Sequence, residues 1–163
     1  SVDEAVYLMR SVVRAVGGFN SAVKVVAAAY ADWGRAGTIN PLSVPEVAKR
    51  SGSRVAMVDT KIKDGIRLFD FLSRNDLSLF VNRSHEMGLS AALAGSLQKE
   101  DIPLLVELNA DIIGVRKAAC EGMDRVSGQI SRLKVRELVN MIKESQPEQA
   151  LRAEPAKTRI MVR

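Results

Sequence analysis

The sequence holds one cysteine, Cys120, and one histidine, His85, in 163 residues. A single thiol excludes an intrachain disulfide and fits a reducing, cytoplasmic setting. The two residues are far apart, which argues against a zinc site of the Cys/His type, and neither a metal site nor a cofactor is expected. Aromatic side chains are scarce, at 4%, and are not interleaved with basic ones, so the base-stacking stripe of a single-strand binder is missing. No apolar run approaches the ~18–20 residues of a membrane span, and no charged-then-apolar leader is present. Walker and GxGxxG phosphate loops are absent as well. Nucleic acid and membrane are therefore not expected as partners. Residue 1 is Ser, and the chain opens directly in a helical pattern.

What is present is a globular composition, 47% hydrophobic and 26% charged, with a net charge of +5. The length suits one domain with a real core. The excess lysine and arginine are scattered, and a basic mouth of this kind suits phosphorylated small molecules. Cys120 has no histidine nearby and reads as a small packing residue; His85 shares a helix face with Arg83 and Glu86 and reads as solvated.

Apolar residues at Val2, Ala5, Val6, Met9, Val12, Val13 and Val16 give helical spacing, which Gly17-Gly18 should end. Lys24–Ala31 reads as a buried strand closing on Asp32. Ser43-Val-Pro-Glu46 matches a capping box for a helix to about Ser51. Arg54–Asp59 is a continuous apolar strand that delivers Asp59, Lys61 and Lys63 before the Asp64-Gly65 turn. A helical turn near Leu68–Leu72 and a helix from about Asp76 to Met87 follow, then a strand from Leu89 to Ala94 with Gly95-Ser96 after it. A helix over about Lys99–Leu108 precedes the strand Asp111–Val115, which ends at Arg116, and a last helix spans about Ile130–Lys143.

A helix followed by four strand–helix units predicts an α/β fold of parallel strands with helical crossovers. The opening helix, with no strand before it, and the four strands ending at one rim predict the C-terminal half of a TIM (β/α)8 barrel. That domain would cover residues 1–144, and 145–163 would be a disordered tail.

At the carboxyl rim of a parallel sheet, chemistry collects. Gly95, Ser96, Gly114 and Arg116 could form a phosphate site from backbone amides, a hydroxyl and a guanidinium, or simply be tight turns and a structural ion pair. Asp59 and Lys63 could act as base and as positive charge or proton donor, or be a helix-cap acid and a solvated lysine. Lys61, one pleat off, should face elsewhere. Asp32 is a possible further acid.

The segments Val23–Asp32, Asn40–Glu46, Val55–Gly65, Leu68–Leu72, Ala92–Ser96, Asp111–Arg116 and Cys120–Arg125 resemble the (5-formylfuran-3-yl)methyl phosphate synthases of methanofuran-type cofactor biosynthesis. The resemblance covers nearly all of residues 1–144. It implies a TIM barrel, of which this chain looks like the last four strands, and a lyase condensing two molecules of glyceraldehyde 3-phosphate. One phosphate and two waters would leave by a route through a lysine Schiff base. It also implies that Asp59 does acid–base work and that Lys63 gives electrostatic or proton-transfer support. The family's Schiff-base lysine, a partner aspartate and a further lysine have no counterpart here, so a fragment inactive alone is expected. Lys117 and Met123 stand where glycines are expected. Competing expectations are another phosphosugar aldolase or isomerase on the same barrel, or a non-catalytic phosphate-binding or dimerising half barrel. A homo-oligomer is compatible with each.

Overall fold

The computed structural model describes residues 1–123, 127–146 and 158–162. Helix α1 (Val2–Phe19) begins at a capping box, with Ser1 Oγ accepting from the Glu4 amide at 3.3 Å. It runs through Gly17-Gly18 rather than stopping there, and closes where the Asn20 amide donates to Val16 at 2.8 Å. A glycine in a helix costs only about 1 kcal/mol, too little to break a helix already anchored over four turns.

Strand β1 (Val26–Tyr30), the short helix α2 (Trp33–Ala36) and helix α3 (Val44–Ser51) come next. The capping box expected at Ser43 does not form. Asn40 Oδ1 accepts from the Leu42 amide at 2.9 Å, Ser43 Oγ donates to the Asn40 carbonyl at 2.6 Å, and Glu46 pairs with Arg50. A turn over Pro41–Ser43 comes first and takes the serine with it.

The rest of the chain alternates. Strand β2 (Val55–Asp59) is followed by α4 (Leu68–Phe71) and α5 (Arg74–Glu86). Strand β3 (Ser90–Ala94) leads to α6 (Ile102–Glu107), and β4 (Ile112–Val115) to α7 (Arg132–Ser145) and β5 (Arg159–Val162). All neighbouring strands pair in parallel, in the order β1-β2-β3-β4-β5. With right-handed crossovers, that order puts the helices on one face of the sheet. The side chains obey it: Ala29, Val58, Leu93 and Ile113 join the large core under the helices, and Val55, Met57, Ala92 and Ala94 form a smaller cluster on the other face.

The expected half barrel of four strands is thus corrected to a five-stranded parallel α/β sheet. Residues 159–162, expected to be disordered tail, pair with β4, and the Arg159 amide donates to the Asp111 carbonyl at 2.8 Å. A four-residue strand that opens on Arg159 and is set behind a polar, proline-containing stretch carries too few apolar positions to show a period. The tail expectation for residues 147–157 and 163 lies outside the described residues.

Gly114 sits where the smaller cluster is tightest. A Cβ there would lie 2.9 Å from the Ala94 Cβ and 3.3 Å from the Met161 Cε. Gly114→Ala is therefore expected to destabilise by about 1–3 kcal/mol through overpacking, read as a lowered urea midpoint; an unchanged midpoint would show that β3 and β5 both give way.

Candidate active site

Because all strands run the same way, their carboxyl ends share one rim, where ligands of open α/β sheets bind. Asp59 ends β2 there, 8% exposed. Its Oδ1 accepts from the Thr60 amide at 2.8 Å and from Lys63 Nζ at 2.8 Å. Lys63 Nζ also donates to Thr60 Oγ1 at 2.9 Å. The lysine is folded back onto the strand end and is not a solvated loop residue; its side chain is 26% exposed.

A cavity of about 350 Å³ opens beside this pair. Its wall includes Asp59, Lys63, Gly95, Ser96, Gly114 and Arg116, so the structure brings together all the residues singled out in the sequence except Asp32. Gly95 has φ +125°, and a Cβ there would press on Thr60 and Leu68 at 3.0 and 3.2 Å. Ser96 follows at φ 53°, unusual for a residue with a side chain. The Gly95 carbonyl accepts from the Leu68 amide at 3.0 Å, tying this turn to the start of α4. So the tight-turn reading holds for Gly95, and the turn still forms the cavity wall.

Two further cations line the cavity, Lys117 and Arg67. Sequence reasoning missed Arg67. It pairs with Asp101, and its buried Nε has no hydrogen-bond partner among the described residues. Its only signal in the sequence was its place two residues beyond Gly65. With Lys63, Arg67, Arg116 and Lys117 against Asp59, the lining is strongly cationic, which suits a phosphorylated ligand. A larger hollow of about 880 Å³ lies at the opposite rim, at the amino ends of the strands. It lacks the strand-end acid–lysine pair, and strand carboxyl ends are the better guide to chemistry.

Asp32 is 2% exposed and is not part of the cavity lining. Its Oδ1 accepts from the Lys61 amide at 2.7 Å and its Oδ2 from the Ile62 amide at 2.9 Å. Burial pushes its carboxyl up, but the amides of Ile62 and Lys61, its own amide and the Arg35 guanidinium outweigh burial and hold it below the usual carboxylate range. A lowered folded-state value means that its contribution is complete above the unfolded value of about 3.9 and fades as pH falls through the folded one.

His85, expected to be solvated, instead meets Asp111 at 2.7 Å, and Asp111 also accepts from the Ala91 amide at 2.8 Å. Cys120 is buried. Among the described residues, no cluster of three or more His, Cys, Asp or Glu could hold a metal ion, and no helix is long and apolar enough to cross a membrane.

Comparison with known proteins adds the family. The family model described as 4-HFC-P synthase matches residues 1–139. The (5-formylfuran-3-yl)methyl phosphate synthase of Methanocaldococcus jannaschii is 52% identical over 140 residues, which are 86% of this chain and 60% of that protein. The protein of the same name from Methanopyrus kandleri is 52% identical over 140 residues, 86% of this chain and 59% of its own length. That from Methanobrevibacter smithii is 46% identical over 136 residues, 83% and 57% of the two chains. The chain thus spans about 60% of the length of the first of these relatives. The match takes in most of this chain, whose described residues form one five-stranded sheet, and the half-barrel expectation is set aside on both counts. A match over residues 1–139, at about half identity to named synthases, settles the kinship: the chain belongs to the 4-HFC-P synthase family.

Proposed function

We propose that this chain supplies an acid–base pair and a phosphate-holding rim for the condensation of two glyceraldehyde 3-phosphate molecules to (5-formylfuran-3-yl)methyl phosphate. The observation that carries the reading is the Asp59–Lys63 pair, 2.8 Å apart, in the wall of a cation-lined cavity with Gly95-Ser96 and Arg116 beside it.

In this reading Arg116 and the Gly95-Ser96 turn hold a substrate phosphate. Asp59 takes up and returns protons during condensation and dehydration, and Lys63 supplies charge or a proton to the oxygen on which negative charge develops. The balance is simple: two triose phosphates lose one inorganic phosphate and two waters, leaving one phosphorylated furan aldehyde. The class is therefore a carbon–oxygen lyase. By the family resemblance, the carbonyl is activated as a Schiff base on a lysine with no counterpart in this chain. Asp59 and Lys63 are then supporting groups.

The test is a chimaera in which this chain replaces the matched 140 residues of the Methanocaldococcus jannaschii relative. Given glyceraldehyde 3-phosphate, it should release phosphate and form a product with furan-aldehyde ultraviolet absorbance, while the 163-residue chain alone should do neither. A chimaera that folds but yields only isomerised or aldol-condensed sugar phosphates would replace this reading with that of another phosphosugar enzyme.

A further inference from the structure

We propose that Asp32 is a positioning residue for Lys63: from the end of the β1 segment its carboxylate fixes the backbone of the β2 loop and so sets the lysine against Asp59. The proposal deepens the reading above and rests on it only for the importance of Lys63.

A strand-end aspartate ahead of a helix ordinarily caps that helix or acts as an acid. Asp32 does neither. Its main chain opens α2, with its carbonyl accepting from the Arg35 and Ala36 amides at 2.9 Å each, yet its side chain makes no capping bond to that helix. Both carboxylate oxygens turn instead to the neighbouring unit, one to the Lys61 amide and one to the Ile62 amide. Bonds from backbone amides to a buried carboxylate are charge-assisted and among the stronger kinds.

The loop needs such a hold. Among the described residues, the backbone of 61–66 makes no hydrogen bond to other backbone. Apart from the bonds of Lys63 itself to Asp59 and Thr60, its ties are the two bonds to Asp32, a local one from the Ile66 amide to Asp64, and a second clasp at its far end. There Arg35 Nη2 meets Asp64 Oδ2 at 2.6 Å, with the guanidinium 5.9 Å from the Phe71 ring centroid. Asp32 and Arg35, one helical turn apart, thus grip the loop on either side of Lys63. Pinning the Ile62 amide leaves the lysine side chain only its own rotamers with which to find Asp59 and Thr60, so that fewer misaligned placements compete.

The test uses the 163-residue chain and needs no substrate. Asp32→Ala removes both acceptors; the isosteric Asp32→Asn keeps one and sets an amide group against the other N–H. The expected result is exchange of the Lys61 and Ile62 amides with solvent deuterium that is faster by about tenfold or more, with the amides of β1 to β4 unchanged. In the same variants the Lys63 side-chain Cε–Hε NMR signal should move to the position of a freely solvated lysine. The move of this signal separates positioning from plain stabilisation.

If neither Asp32 variant folds, the exposed Arg35→Gln should still quicken exchange over residues 62–66 and shift the Lys63 signal in the same direction. The proposal is overturned by unchanged exchange and an unmoved Lys63 signal in a folded Asp32 variant, or by no effect of Arg35→Gln where those variants do not fold. Uniform acceleration across the whole sheet overturns it too, since Asp32 would then be a general stabiliser. Failure of the furan phosphate reading would appear in the product assay, and failure of this one in the exchange data.

Discussion

Lys63→Ala in the chimaera is expected to lower kcat for furan phosphate formation by about 100- to 10,000-fold, the range usual for loss of a positioned proton-transfer group. The expectation follows from the proposed role and the geometry. The ammonium is held 2.8 Å from Asp59 and 2.9 Å from Thr60 in the cavity wall, so no other cation need move for it to act. Removing it also takes that ion pair from Asp59, the proposed base. Lys63→Arg separates the two roles assigned to the lysine. Arginine keeps the charge but does not give up its proton. An arginine variant near the wild-type rate would mean that Lys63 acts by charge alone; one as slow as alanine would mean that it transfers a proton. A wild-type rate for Lys63→Ala itself would remove the residue from the site.

Phe80→Ala is expected to destabilise the fold by about 3–5 kcal/mol. Against the 5–15 kcal/mol available to a typical domain, that loss is large enough to leave the variant partly unfolded in mild urea. Phe80 is fully buried on α5, and among the described residues it is the largest side chain with almost no exposure. It belongs to the main core together with Leu77, Val81 and Leu93, so truncation opens a cavity between helix and sheet. Urea unfolding followed by far-ultraviolet circular dichroism reads the change directly. A loss below about 1.5 kcal/mol would show that neighbouring side chains collapse into the space.

The strands were the easiest elements to read. β2 is a continuous apolar run up to Asp59 and β3 an alanine-rich run closed by Gly95-Ser96, and their observed bounds fall within a residue or so of the expected ones. Local chemistry read less well wherever two plausible signals competed. Gly17-Gly18 looked like a stop, but the hydrogen bonds of α1 carried across it. Ser43 and Glu46 had capping-box spacing, but Asn40 and Pro41 had already started a turn. β5 was illegible because its partner is β4, more than forty residues away, and a short edge strand is specified by that neighbour more than by its own pattern.

The site divides the same way. Asp59 and Lys63 could be paired from spacing, since four residues separate a strand end from a lysine long enough to fold back. Asp32 was visible as a strand-end acid, but its destination was not. Whether such a side chain caps its own helix or reaches across to the next loop depends on how two strand–helix units lie side by side, and register of that kind is not written locally. Arg67 was lost for a similar reason: it enters the cavity wall where the Leu68 amide bonds the Gly95 carbonyl of the next unit.

The His85–Asp111 contact has a consequence for kinetics. The only histidine of this chain lies at the amino ends of the strands, the rim away from the Asp59–Lys63 cavity. Imidazole is the side chain whose unperturbed ionisation falls nearest neutrality. Within the chimaera, a limb in the rate profile between about pH 5 and pH 7 would on the proposed chemistry have a source outside this chain, such as the second ionisation of a phosphate-monoester substrate at about 6. Because His85 lies at the far rim, such a limb should survive His85→Gln unchanged.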